Sequence, residues 1–182
     1  MPRCETKLSV YEGYARGVLF GGQEITVVRR KDGIELRDLD YLKFKLFQLS
    51  VLWRAGVAQQ EFFSQVELGH HEAPLRKMLL AEDPGRSTDY GCVIIPLVTE
   101  SNVLTDLILQ PVPVKHGDFD GYRFIFGGQT WIYFLGDGGR FPFSKFFLQE
   151  DGRLFIRRAD ASVESFLRRL ASTFGDVGVS TT

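Results

Sequence analysis

Between Tyr41 and Arg54 the apolar residues lie on nearly every side of a helical wheel. Leu42, Leu46, Leu49 and Trp53 fall on one face, and Phe44, Phe47 and Val51 cover another. A helix patterned this way must be wrapped on several sides, so it marks the centre of the core. Asp40 is placed to cap its start and Gly56 marks its end. Lys43, Lys45 and Arg54 interrupt the pattern and read as long side chains that run from the helix edge to water. Upstream, Ser9-Val-Tyr-Glu12 has the spacing of a capping box, which predicts a helix from Val10 to Leu19 stopped by Gly21-Gly22. The β-branched stretch Glu24–Arg29, a turn at Lys31-Asp32-Gly33 and Ile34–Leu36 predict a small hairpin. A third helix is expected over Ala73–Ala81, with Pro74 in its first turn and Asp83-Pro84-Gly85 beyond its end.

After Pro84 the period changes from helical to alternating. Cys92–Thr99, Leu107–Lys115, Tyr122–Phe126, Thr130–Leu135, Phe146–Gln149 and Leu154–Arg157 read as strands divided by Gly, Pro or Asp. Pro96, Pro111 and Pro113 place the first two of these at sheet edges or at bulges, because proline cannot donate to a ladder. The short links Gly127-Gly128-Gln129 and Glu150-Asp151-Gly152 suit hairpins and leave no room for crossover helices. Val163, Phe166, Leu167, Leu170, Ala171 and Phe174 then recur at helical spacing, opposite Glu164, Arg168 and Arg169, and Gly175 closes that segment. The expected architecture is α+β: a central buried helix and flanking helices packed on a mainly antiparallel sheet of about five to six strands. One domain over residues 1–175 and a frayed tail over 176–182 complete the expectation.

Composition narrows the class. A chain of 182 residues buries roughly 70% of its unfolded surface and needs no staple to fold. With 22 Lys plus Arg against 23 Asp plus Glu, the net charge of −1 provides no global pull toward nucleic acid or an anionic membrane. Cys4 and Cys92 are too far apart in sequence for a Cys-x-x-Cys clip, which suits a reducing cytoplasm. No stretch has the length and apolarity of a membrane span or a secretory leader. The 16 phenylalanines imply a thick core or a buried interface.

Candidate chemistry is thin. His70-His71-Glu72, before the third helix, is the densest group of metal-capable side chains, and His116 lies in a strand-end loop. Adjacent side chains diverge and the spacing is not that of a helical zinc pair, so an exposed helix start is the simpler account. A metal-dependent nuclease or hydrolase built on these four residues, with Asp118 or Asp120 nearby, is the alternative. Cys4 beside Arg3 has the cation that favours a thiolate but no positioned base. Gly136-Asp137-Gly138-Gly139 has the glycines of a phosphate loop without its helix or Lys-Ser/Thr pair. Basic residues give a better lead. Arg29-Arg30-Lys31 at a hairpin tip, Arg157-Arg158 after a strand, and Arg168-Arg169 on the last helix would neutralise phosphates if they converge. The alternating Tyr122, Phe124 and Phe126, followed by Trp131 and Tyr133, would either stack bases or form the core face of a sheet.

Six segments carry a resemblance. They are Cys4-Glu5, Leu8–Ala15, Tyr41–Ala55, Val66–Gly69 with Leu75–Leu80, and Tyr122–Gly128. Together they resemble the C-terminal portion of a bacterial family of HNH-endonuclease-like zinc proteins, over most of this chain. In that family, as the resemblance implies, a Cys-x-x-Cys pair before the Tyr-Glu helix completes a zinc site. Here Cys4 alone matches, as a remnant ligand, and Met1 stands three residues before it. A structural zinc site needs four ligands and a catalytic one needs three plus water. The expectation is therefore a non-catalytic binding module without a cofactor, from a phage, mobile-element or defence setting. A protein partner or a second copy of the chain is its first expected partner and nucleic acid the second. The second half of a split nuclease is the variant reading.

Overall fold

The computed structural model describes residues 2–97, 107–136, 141 and 143–157, with the side chains of 2–6 and 157 excepted. Helix α1 spans Pro2–Phe20, hairpin strands β1 and β2 span Thr26–Arg30 and Gly33–Arg37, and α2 spans Tyr41–Val57. Helix α3 covers Glu72–Ala81. Strands β3 (Cys92–Pro96), β4 (Leu109–His116), β5 (Phe119–Phe126), β6 (Gln129–Phe134) and β7 (Leu154–Arg157) follow.

The fold is α+β, as the periodicities require, but its strands form two sheets rather than one. β1-β2-β7 make a three-stranded sheet and β3-β6-β5-β4 a four-stranded one, with every pairing antiparallel. The hairpin contributes two of the seven strands, and its β2 pairs with β7 from much later in the chain instead of the hairpin standing alone. Both outer strands of the larger sheet carry the prolines. Pro96 ends β3, and Pro111 lies at the irregularity between Leu109 and Val112 in β4. Gly127 and Gly128, at φ of 59° and 73°, form the tight β5–β6 link that a right-twisted hairpin favours.

Helix α2 lies at the centre, as its all-round apolarity demands. Phe44, Leu46, Leu49 and Leu52 are fully buried, and Trp131 of β6 packs against Phe44 and Phe47 with ring centroids 6.4 and 6.0 Å away. Asp40 caps the helix by accepting the Lys43 amide at 3.0 Å. A second, smaller cluster of Phe134, Phe141 and Phe147 is backed by Phe119 and Phe143. Most phenylalanines among the described residues are thus divided between these two clusters. Tyr122, Phe124, Trp131 and Tyr133 are all buried, so these rings are core and none is a stacking platform.

Three local expectations are corrected. Helix α1 begins at Pro2, so Ser9 and Glu12 lie inside it and form no capping box; the Glu12 carboxylate pairs instead with Arg54 at 2.6 Å. Residues 146–149 are not a strand. Ser144–Phe146 is a 3₁₀ turn, because the Gln149 amide donates to the carbonyls of Ser144 (2.9 Å) and Phe147 (2.8 Å) and holds the chain curled. Lys43 and Arg54 do reach the surface, but Lys45 is completely buried. The amphipathic segment 163–174 and the glycine turn 136–139 lie wholly or mostly outside the described residues.

Candidate anion-binding groove

The β1–β2 hairpin aligns Arg30 with Gly33 across the two-residue turn Lys31-Asp32, and β7 places Arg157 opposite the same Gly33. Two basic segments separated by more than a hundred residues of sequence therefore meet at one end of one sheet. The side chain of Arg157, and all of Arg158, Arg168 and Arg169, fall outside the described residues. Arg29 lines a depression of about 520 Å³ with Val27, Ile34 and Ile156, and Arg30 and Lys31 line both that depression and a neighbouring groove of about 500 Å³.

The 3₁₀ turn and the loop before β7 build the opposite wall of that groove, contributing Lys145, Phe146, Gln149 and Arg153, while Phe155 of β7 joins the lining. The wall is firmly held. Besides the two Gln149 side-chain bonds, the Gln149 amide donates to the Arg153 carbonyl at 2.7 Å and the Gly152 amide to the Gln149 carbonyl at 2.9 Å. Gly152 has φ of 78°, and a Cβ there would meet the Leu39 carbonyl oxygen at 2.4 Å, so the turn presses directly on the chain leading into α2. Phe146 and Phe155 lie 5.6 Å apart between centroids, both half-buried, and the Lys145 ammonium stands 5.0 Å from the Phe146 ring.

Four cations and two carboxylates line the groove. Glu35 is spoken for: Arg30 donates to it through Nε (3.1 Å) and Nη2 (2.8 Å), and Arg37 donates to its other oxygen. Those two guanidiniums, Arg30 first, hold its carboxyl below the usual range, so it stays ionised at neutral pH and orients Arg30 instead of accepting protons. Arg153 pairs with Asp151 at 2.7 Å. Lys31 and Lys145 make no ion pair among the described residues, which leaves their charges available to an incoming anion.

The histidines are divided between two places. His70 and His71 do not diverge: their rings lie 3.9 Å apart, and His71 meets the Tyr90 ring edge-on with Nδ1 3.4 Å from the phenol oxygen. Glu72 begins α3 beside them. His116 ends β4 and packs against Phe143 at 5.0 Å. Among the described residues no three His, Cys, Asp or Glu side chains are grouped to share a metal ion. Cys92 is buried, and burial pushes its thiol far above the ordinary value, which rules it out as a nucleophile at neutral pH. The side chain of Cys4 is outside the described residues.

A second groove, of about 530 Å³, is apolar. Phe47, Val51, Phe62, Ile108, Leu109 and Phe126 line it between α2 and the β4–β5 edge, with the Glu12–Arg54 pair at its margin. Sequence reasoning identified Arg30 and Lys31 but missed Lys145, Arg153, Phe146 and Phe155. No helix among the described residues is long and apolar enough to cross a membrane. Comparison of the chain with protein-family models, curated proteins and solved structures gave no match.

Proposed function

We propose that this chain is a non-catalytic binding module, akin to the C-terminal part of HNH-like proteins, and that it holds an anionic partner in the groove at the end of the three-stranded sheet. The observation that carries this reading is the meeting of Arg30 and Lys31 with Lys145 and Arg153 around one cleft in a protein whose net charge is −1. Charge concentrated in this way raises the local concentration of an oppositely charged ligand and speeds its encounter. The groove offers positioning and charge, and its Glu35 is held as a carboxylate by two arginines, where it orients Arg30. The apolar groove beside α2 supplies a separate surface where a protein segment or a second copy would bury Phe62 and Ile108, both exposed at present.

The test is binding to three labelled polyanions, DNA, RNA and polyglutamate, by fluorescence anisotropy across a salt series. The expected result is an affinity that falls steeply as salt rises, and that falls again in the Lys31→Ala, Lys145→Ala double variant with the melting temperature unchanged. Absence of binding to all three at low salt would dispose of the reading.

A further inference from the structure

We infer that the groove is built for single-stranded nucleic acid, with a base laid against Phe146 and Phe155 and the neighbouring phosphates held by Lys31 and Lys145. This rests on the groove being the contact surface, and it names which polyanion belongs there. Three observations combine. First, the groove contains rings as well as charge: Phe146 and Phe155 are half-buried on its lining, whereas Phe44, Phe124 and Trp131 are buried in the core. Second, the rings and cations are interleaved. The Lys145 ammonium lies over the Phe146 ring, 5.0 Å from its centroid, so a phosphate that draws this flexible amine aside uncovers the ring face beside it for the base. Third, Lys31 of the hairpin turn and Lys145 of the 3₁₀ turn have no ion-pair partner among the described residues, while Glu35 fixes Arg30 in the same lining.

Each alternative leaves part of this unused. A duplex presents phosphates, but its bases are stacked on one another and cannot reach the rings. An acidic peptide satisfies the cations but has no planar face for Phe146. An unpaired strand supplies both, because every base has a π-face and stacking tolerates any sequence. The groove accordingly selects for strandedness and not for sequence.

The experiment compares a short labelled oligo-dT, a duplex of matched charge and polyglutamate, each with the full chain and with Phe146→Leu, Phe146→Trp and Lys145→Ala. Leucine keeps the apolar volume of the site, so folding survives where an alanine at this half-buried position would leave a gap. The oligo-dT is expected to bind best. Phe146→Leu should weaken it by about fivefold or more, in line with the loss of one base–aromatic stack, and Phe146→Trp should restore it. Lys145→Ala should weaken all three ligands. If the duplex and polyglutamate bind as well as oligo-dT and Phe146→Leu changes nothing, the strand preference is wrong although the anion-binding reading survives. Loss of all three ligands at low salt overturns both.

Discussion

The amine of Lys45 lies 3.3 Å from the carbonyl oxygen of Tyr90 and 3.4 Å from that of Ser87, inside the core. Burial holds its pKa down to about 8, although Cys92, Asp89 and Glu150 oppose the fall. An unfolded lysine titrates near 10.5, so between these values the unfolded chain binds the extra proton and stability rises with pH. The interval amounts to roughly 3 kcal/mol. Tyr11, Tyr41, Tyr133 and Cys92 act in the opposite sense at alkaline pH, because burial raises their pKa values; they are common to both proteins in a comparison with Lys45→Met. The stability of the native chain relative to Lys45→Met should therefore increase between pH 7 and 10.5. Urea melts at both pH values measure it, and a constant difference would refute the buried charge.

Tyr122 fastens the loop before α3 to the sheet. Its hydroxyl donates to the Glu67 carbonyl at 2.7 Å and accepts the Glu67 amide at 2.9 Å. Tyr122→Phe leaves both backbone groups unpaired in a part-buried place and should cost about 1–3 kcal/mol. Hydrogen exchange should show the Glu67 amide losing protection while amides of β5 and β6 keep theirs.

Gly121 has no room for a side chain. A Cβ there would lie 1.9 Å from the carbonyl oxygen of Tyr133, in the backbone of the neighbouring strand. Gly121→Ala must push β5 and β6 apart and should destabilise by roughly 3 kcal/mol. A thermal melt within a degree of wild type would contradict this packing.

Asp40 caps α2 while its other carboxylate oxygen pairs with Lys43 at 2.7 Å. Burial raises its pKa, but the bonds from the Lys43 side chain and amide outweigh burial and the net shift is downward. A depressed carboxyl contributes stability that is present above the ordinary aspartate range and is lost as pH falls through its folded value. Asp40→Ala should cost about 1 kcal/mol at pH 7. In acid titrations the penalty should shrink below pH about 4 as the wild-type cap itself becomes protonated.

What the sequence disclosed was whatever depends on near neighbours. The wheel of apolar residues in α2, the Asp40 cap, the glycine pair of the β5–β6 link and the prolines on outer strands are all local signals, and all stand in the structure. The Ser9–Glu12 spacing was also local, yet it lies within a longer helix and makes no cap. Lys45 misled because its aliphatic stem fits a helix edge equally well, and only the loop at Ser87–Tyr90 supplies the carbonyls that let the amine stay inside. The groove was half visible. A hairpin tip announces Arg30 and Lys31, but Lys145, Arg153 and Phe155 join them only through the β2–β7 pairing, which no short-range pattern encodes. The Phe-rich stretch at 146–149 has strand composition, and the Gln149 side chain overrides it by bonding two carbonyls of the turn.

The prolines of the outer strands have a consequence for crowded conditions. A strand from another molecule that approached β3 or β4 would find missing amide donors at Pro96, Pro111 and Pro113 and could not complete a regular ladder. Recruitment of further strands to this aromatic-rich sheet is thus hindered at both of its margins by the residues that form them.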